Sequence, residues 1–451
     1  MFGIALSALM FTATMEHQID DLGSRIVETK RSPGLAVGVV EDGRIVYAHG
    51  FGYADLAKHA RFAPSTQTYV GSITKQFTAA ALLLLQQDGK LKLEDPVTRY
   101  VPELTIAKGV TIRDLLDQTA GLPDELDLRG IDQDRTKSVK LADLIAAMNK
   151  MTLVSVPGTQ FKYNNFNYAI AALIVERVSG VPFSDYLQQH IFIPLLMNQT
   201  FLAGDNGISP DRAAGYTGSA GDFIATKPWD PAWLFGAGSL VTNVYDLAKW
   251  DIGMPLLLRV DAERDMFTPS SASGATKYGL GWVIDERFGQ RYIWHNGEIG
   301  GYHAMNALLP DDHIAVIVLA NVDSLRSSSV VQPEEVAADI LDIVAPPQRA
   351  HVENAIVARA KEWLGRLATR NIDRTQLTSQ FSAYLTDDLV ARSNFAALGK
   401  PLDFIPVGSV QVNGSTVYEF LVRFQNGRFI YKFGLTPDGK ISEIYLAPGN
   451  G

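Results

Sequence analysis

A serine and a lysine three residues apart, Ser72 and Lys75, stand in the segment Tyr69-Val-Gly-Ser-Ile-Thr-Lys75. An apolar run, Gln76-Phe-Thr-Ala-Ala-Ala-Leu-Leu-Leu-Leu85, follows directly. On a helix that spacing puts both side chains on one face, a turn apart. A hydroxyl held against an amine whose pKa burial has lowered becomes a nucleophile, because the amine can take its proton. The positive end of the helix would stabilise the alkoxide as it develops. No other serine in the chain has a lysine at that distance. Taken alone, the pair is a weak signal, and a helix N-cap with a solvated lysine one turn in is the favoured reading.

Two further pairs bear on the choice. Tyr163 and Asn165 form the only Tyr-x-Asn, in Pro157-Gly-Thr-Gln-Phe-Lys-Tyr-Asn-Asn-Phe-Asn-Tyr168. A phenol beside a lysine can serve as a general base, and an amide can bond the lysine and a substrate carbonyl together. His295 and Gly297 form the only His-x-Gly, in Trp294-His-Asn-Gly-Glu-Ile-Gly-Gly-Tyr302. Glycine on an edge strand lets a substrate backbone approach, and the strand's amides can donate to an oxyanion. His295 would add a hydrogen bond or a positive charge near the phenol. An Asn-rich turn before a helix over Ala169–Val178, and a Gly-rich hairpin with an incidental histidine, are the plain structural alternatives.

The elements that must position these groups can be read from periodicity. Gly34–Val40 and Arg44–Phe51 are β-branched runs joined by Asp42-Gly43, a two-residue hairpin signal. Gly301–Leu309 and His313–Asn321 are strand-like and punctuated by Pro310-Asp311-Asp312, and Glu334–Val344 follows as an amphipathic helix. The run after Lys75 is apolar on nearly every face and reads as a buried central helix. Strands at both ends with helices inserted between them, to about Trp250, predict one sheet built from both ends: an α/β (α+β) fold. Ala345-Pro-Pro-Gln348 reads as a linker. Beyond it Ile356, Ala360, Trp363, Leu364 and Leu367 keep helical spacing. Strands are expected over Leu402–Val412, Thr416–Phe424, Arg428–Leu435 and Ile441–Leu446. The expected division is a segment 1–17 (a signal remnant or a first helix), a catalytic domain 18–345, a linker 346–351 and a C-terminal α+β domain 352–451.

Composition narrows the function. With 40 Lys+Arg against 49 Asp+Glu the net charge is −9, and no basic run offsets it, so nucleic acid is not an expected partner. Cysteine is absent, which removes thiolate catalysis and Cys-based zinc sites. His17, His49, His59, His190, His303 and His313 show no metal-ligand spacing, so neither a metal nor a cofactor is expected. No apolar stretch reaches the ~18–20 residues of a membrane span. Met1–Met15 is apolar like half of a secretory signal but has no basic start.

The three pairs in this order resemble the serine β-lactamase and penicillin-binding-protein superfamily, closest to its class C β-lactamase-like branch. Leu93-Glu-Asp-Pro-Val97, Thr111-Ile-Arg-Asp-Leu-Leu-Asp-Gln-Thr-Ala-Gly-Leu-Pro123, Glu176-Arg-Val-Ser-Gly180, Pro194-Leu-Leu-Met197, Tyr278-Gly-Leu-Gly-Trp282 and Gly301-Tyr302 strengthen the resemblance, which runs from about Gln18 to Val344. It implies a β-lactamase/transpeptidase-like fold, an antiparallel sheet flanked by helices with a helical subdomain. It implies Ser72 as the acylated nucleophile, Lys75 as its activating partner, Tyr163 as the base that later activates water, and Asn165 as the residue orienting substrate and lysine. The amides of Ser72 and Glu298, beside Gly297, would form the oxyanion hole. Which base takes the first proton is disputed even among better-known relatives. His295 stands where class C β-lactamases carry the lysine of Lys-Thr-Gly, which weakens the charge that greets a β-lactam carboxylate. His-x-Gly resembles instead the esterase-like and D-aminopeptidase-like members. The implied function is a serine hydrolase of esters or amides, a carboxylesterase or D-amino-acid-type peptidase. The alternatives are a penicillin-receptor-like protein that acylates without turnover, and a weak β-lactamase. The implied substrates are a small ester, a D-peptide or a β-lactam, with a homo-oligomer left open; the resemblance favours a periplasmic or secreted location and leaves a cytoplasmic one open. The Glu298 carboxylate reads either as a lure for a substrate ammonium or as a solvated strand-end residue. The C-terminal domain resembles a lipocalin-like or cone-shaped module.

Overall fold

The computed structural model describes residues 11–448 apart from 125–127, 129, 205–211, 394 and 425–426. The segment Met1–Met10, most of the expected signal remnant, lies outside the described residues. Helix α1 (Ala13–Glu28) begins inside the rest of it, capped by the Thr12 hydroxyl on the Met15 amide.

Two compact units divide the chain, 1–344 and 345–451. In the first, β1 (Gly34–Glu41) and β2 (Arg44–Asp55) form the hairpin, with Asp42 at φ 49° and Gly43 at φ 70°, both left-handed as a type I′ turn demands. A short β3 (Ala60–Arg61) extends it. The buried helix is α2 (Thr74–Gln87), and α3 (Asn165–Ser179), α4 (Pro231–Gly238) and α5 (Val244–Leu257) follow in the inserted region. The chain then returns to the sheet with β4 (Val283–Arg287), β5 (Gln290–Ile299), β6 (Tyr302–Leu309) and β7 (Ile314–Ala320), and closes with α6 (Pro333–Val344). The strand order is β3-β2-β1-β7-β6-β5-β4, antiparallel throughout, so the first and last thirds of this unit do share one sheet. β7, Ile-Ala-Val-Ile-Val-Leu-Ala, is buried on both faces, which explains why it reads as a continuous apolar run rather than an alternation.

An ion pair closes the far side of this sheet. Arg287 at the end of β4 is fully buried and bonds the Asp342 carboxylate and the Ala338 carbonyl of α6. Removing one member strands a charge in the interior. Asp342→Ala is expected to cost on the order of 3–5 kcal/mol, read as a lowered urea midpoint. An unchanged midpoint would show the pair to be dispensable.

The second unit is a helix α7 (Asn354–Thr369) and a four-stranded antiparallel meander, β8 (Asp403–Val412), β9 (Ser415–Phe424), β10 (Gly427–Leu435) and β11 (Ile441–Pro448). Ala360, Trp363, Leu364 and Leu367 bring α7 into one core with Phe420, Val422, Tyr431 and Phe433. Among the described residues this sheet has four strands, half the eight that close a lipocalin barrel.

Candidate active site

Ser72 lies in a single 3-10 turn, Gly71–Ile73, immediately before α2 rather than within the helix itself. The Thr74 hydroxyl pins this turn by donating to the Gly71 carbonyl (2.7 Å) and accepting from the Leu240 amide (3.0 Å). Lys75 is fully buried at the start of α2. Its Nζ lies 2.9 Å from each of Ser72 Oγ, Asn165 Oδ1 and the Ala237 carbonyl. A charged ammonium would donate to all three. A neutral amine has two N–H groups and one lone pair, and two of the three neighbours, the amide oxygen and the carbonyl, can only accept. In the neutral form the lone pair is therefore left facing the Ser72 hydroxyl.

Two backbone features place those acceptors. Asn164 caps α3 by accepting from the Phe166 amide, so the helix starts at Asn165, four residues earlier than its apolar periodicity indicates. In α4, Phe235 takes φ 32° and ψ −124°, a strained conformation for a residue with a Cβ. The next two carbonyls then turn onto α2, Gly236 accepting from Thr78 Oγ1 (2.7 Å) and Ala237 from Lys75.

Tyr163 is 37% exposed, with the Lys75 Nζ 4.8 Å from its ring centre. Its ring lies 6.1 Å from that of His295 and 6.2 Å from that of Tyr278. His295 points its Nδ1 at the Asn296 carbonyl (2.5 Å), so Nδ1 carries the proton and Nε2 accepts from the Tyr278 hydroxyl at 3.0 Å. Burial, then the charge of Lys75, push the His295 pKa down to about 3. The imidazole is neutral at physiological pH, and its two ring nitrogens are engaged by the Asn296 carbonyl and the Tyr278 hydroxyl.

The strand carrying His295 packs on the serine turn. A Cβ on Gly297 would fall 1.9 Å from the Val70 carbonyl oxygen and 2.8 Å from the Ser72 amide nitrogen, so only glycine fits. β4 pairs with β5 only as far as Trp294, leaving residues 295–299 a free edge. Ile299 and Tyr302 close the β5–β6 hairpin, which puts Glu298 and His303 in a non-hydrogen-bonded pair. The Glu298 N–H and C=O consequently face that free edge, beside Ser72. The Glu298 side chain does not follow them. Strand alternation turns it to the opposite face from Gly297, where its Oε1 accepts from the Ser324 amide (2.5 Å) and hydroxyl (2.7 Å). Its carboxylate is occupied there, which corrects the expectation that it draws a substrate ammonium. His303, assigned no role from sequence, sits on that same face and bonds Glu334 at 2.9 Å. Burial opposes its charge, but the Glu334 bond and the charges of Glu334, Glu298 and Asp323 raise its pKa.

Ser72, Lys75, Tyr163, Asn165, His295, Gly297 and the Glu298 backbone thus converge. Sequence reasoning passed over Tyr278 and the Ala237 carbonyl. Tyr278 could have been suspected from Tyr278-Gly-Leu-Gly-Trp282. A backbone acceptor leaves no residue-type signal. Among the described residues no cluster of His, Asp and Glu could hold a metal, and no helix is long and apolar enough to cross a membrane.

A family model described as Beta-lactamase matches residues 15–338, most of the chain. The chain belongs to the β-lactamase family. Protein flp of Staphylococcus aureus (strain MW2) is 28% identical over 324 residues, 69% of this chain and 64% of that protein. This β-lactamase-family chain therefore spans less than two thirds of that relative's length. Two solved structures share the fold. The octameric penicillin-binding protein homologue from Pyrococcus abyssi has a TM-score of 0.63 at 22% identity, covering 97% of this chain and 100% of its own. The D-amino acid amidase from Ochrobactrum anthropi SV3, in complex with D-phenylalanine, has a TM-score of 0.65 at 23% identity, covering 74% and 99%.

Proposed function

We propose that this chain is a serine hydrolase that cleaves small esters or amides through an acyl-serine at Ser72, as a carboxylesterase or a D-amino-acid-type amidase. The observation that carries the reading is the Lys75 amine, held 2.9 Å from Ser72 Oγ by two neighbours that only accept. In the proposed sequence Lys75 takes the seryl proton as Oγ bonds to the substrate carbonyl carbon. The amides of Ser72 and Glu298 hold the oxyanion. The proton passes by way of Tyr163 to the leaving oxygen or nitrogen, and the carbon–heteroatom bond breaks. In deacylation Tyr163 takes a proton from water as its own phenolic proton passes to the neutral Lys75, and the water oxygen bonds to the acyl carbon. Lys75 returns the proton to Ser72 Oγ as the acyl–Oγ bond breaks and the acid leaves.

The neutral His295 supports substrates without a carboxylate at the leaving-group end, because at this position the strand sets an uncharged imidazole and not a cation. The amidase among the solved relatives is in keeping with that preference. The reading is tested by comparing a D-amino-acid amide and its methyl ester with a D,D-dipeptide whose carboxylate is free. The first two are expected to exceed the dipeptide in kcat/KM by at least about tenfold, the ~1.4 kcal/mol of one lost charged contact. Equal values for all three would remove the leaving-group argument. A penicillin adduct that persists without released product would favour the receptor-like alternative.

A further inference from the structure

Gln118, in the Asp117-Gln-Thr-Ala-Gly121 turn, is fully buried and takes φ 65°, the left-handed region that a long side chain normally avoids. Such a conformation persists only where its surroundings require it. Here it lets main chain and side chain grip one segment together. The Gln118 carbonyl accepts from the Lys162 amide at 2.8 Å. Its Oε1 accepts from the Asn164 amide at 3.1 Å and from Asn167 Nδ2 at 2.7 Å. The residues on either side of Tyr163 are thus bonded to a single glutamine. Asn164, held in this way, is also the cap that starts α3 at Asn165. The remaining amide nitrogen of Gln118 is buried, makes no hydrogen bond of good geometry, and lies beside the phenol of Tyr278, the partner of His295.

We propose that Gln118 is the positioning residue for Tyr163, clamping the chain on both sides of the phenol so that it stays beside Lys75. This rests on the hydrolase reading for its consequence in rate, but the clamp itself can be tested without turnover.

Two variants separate position from stability. Gln118→Met keeps the side-chain volume and removes the acceptor, whereas Gln118→Glu keeps an acceptor oxygen at the same reach. Each is made with 3-fluorotyrosine at position 163 for fluorine NMR and with natural tyrosine for kinetics on p-nitrophenyl butyrate. In Gln118→Met the position-163 resonance is expected to shift or broaden. In the same variant kcat is expected to fall on the order of ten- to a hundredfold, with KM held within about threefold. Gln118→Glu is expected to return both readouts towards wild type. A wild-type resonance and kcat in Gln118→Met would overturn the proposal. So would equal losses in both variants that merely track a lowered melting temperature. If the wild-type protein turns over no ester or amide, the hydrolase reading fails and the resonance alone decides the clamp.

Discussion

Ser72→Ala is expected to lower kcat for ester or amide substrates by at least about a thousandfold, leaving only what binding and the oxyanion donors supply. Of the Ser72 hydroxyl, the Asn165 amide oxygen and the Ala237 carbonyl, each 2.9 Å from Lys75 Nζ, only the Ser72 hydroxyl can give up a proton. With the hydroxyl gone the lysine faces a methyl group where the attacking oxygen is proposed to stand. The fold is expected to survive, because Ser72 Oγ donates to no acceptor that the turn depends on, whereas the Thr74 hydroxyl that pins the turn is untouched. Product release followed by absorbance, with the melting temperature measured alongside, checks both halves. A variant within tenfold of wild type would remove Ser72 from the chemistry.

Gly297→Ala is expected to cost nearly as much from a single methyl group. The added Cβ would meet the Val70 carbonyl oxygen at 1.9 Å and the Ser72 amide nitrogen at 2.8 Å. Both are backbone atoms and cannot swing aside, so the strand must withdraw from the serine turn. Withdrawal carries the Glu298 amide away from the oxyanion it is proposed to hold, and losing one such donor costs about 10²–10³ in kcat. The pairing of β5 with β4 over Gln290–Trp294 lies outside the clash and should keep the sheet formed. The near-UV circular dichroism is therefore expected to stay close to wild type while kcat falls. Wild-type kcat in this variant would show that the strand does not supply the donor.

What could be read from the sequence, and what could not, follows from the kind of signal each feature leaves. The β1–β2 hairpin is legible because Asp42-Gly43 is a turn with one favoured geometry between two β-branched runs. The C-terminal meander is legible because Gly414, Gly427 and Gly439 separate runs of strand length. Ser72, Lys75, Tyr163, Asn165 and His295 stand out because each pair occurs once in the chain. The start of α3 is misplaced by periodicity because its first turn is set by a polar cap, Asn164, and not by apolar spacing. The Ala237 carbonyl depends on the strained Phe235 backbone, which no residue type announces. Glu298 is misread for a different reason. Its place in the motif draws attention to the side chain, yet alternation from the cleft-facing Gly297 already turns that side chain away. Only its backbone faces the free edge.

Acyl transfer to Ser72 is the central claim, and trapping it is the most direct measurement. Wild-type protein mixed with a D-amino-acid ester or a penicillin is quenched in acid within seconds. Intact-mass spectrometry and peptide mapping then locate any adduct. A mass gain equal to the acyl group, or to the whole opened penicillin, is expected on the peptide containing Ser72 and absent from Ser72→Ala. An adduct on another residue, or product released by Ser72→Ala at the wild-type rate, would contradict it.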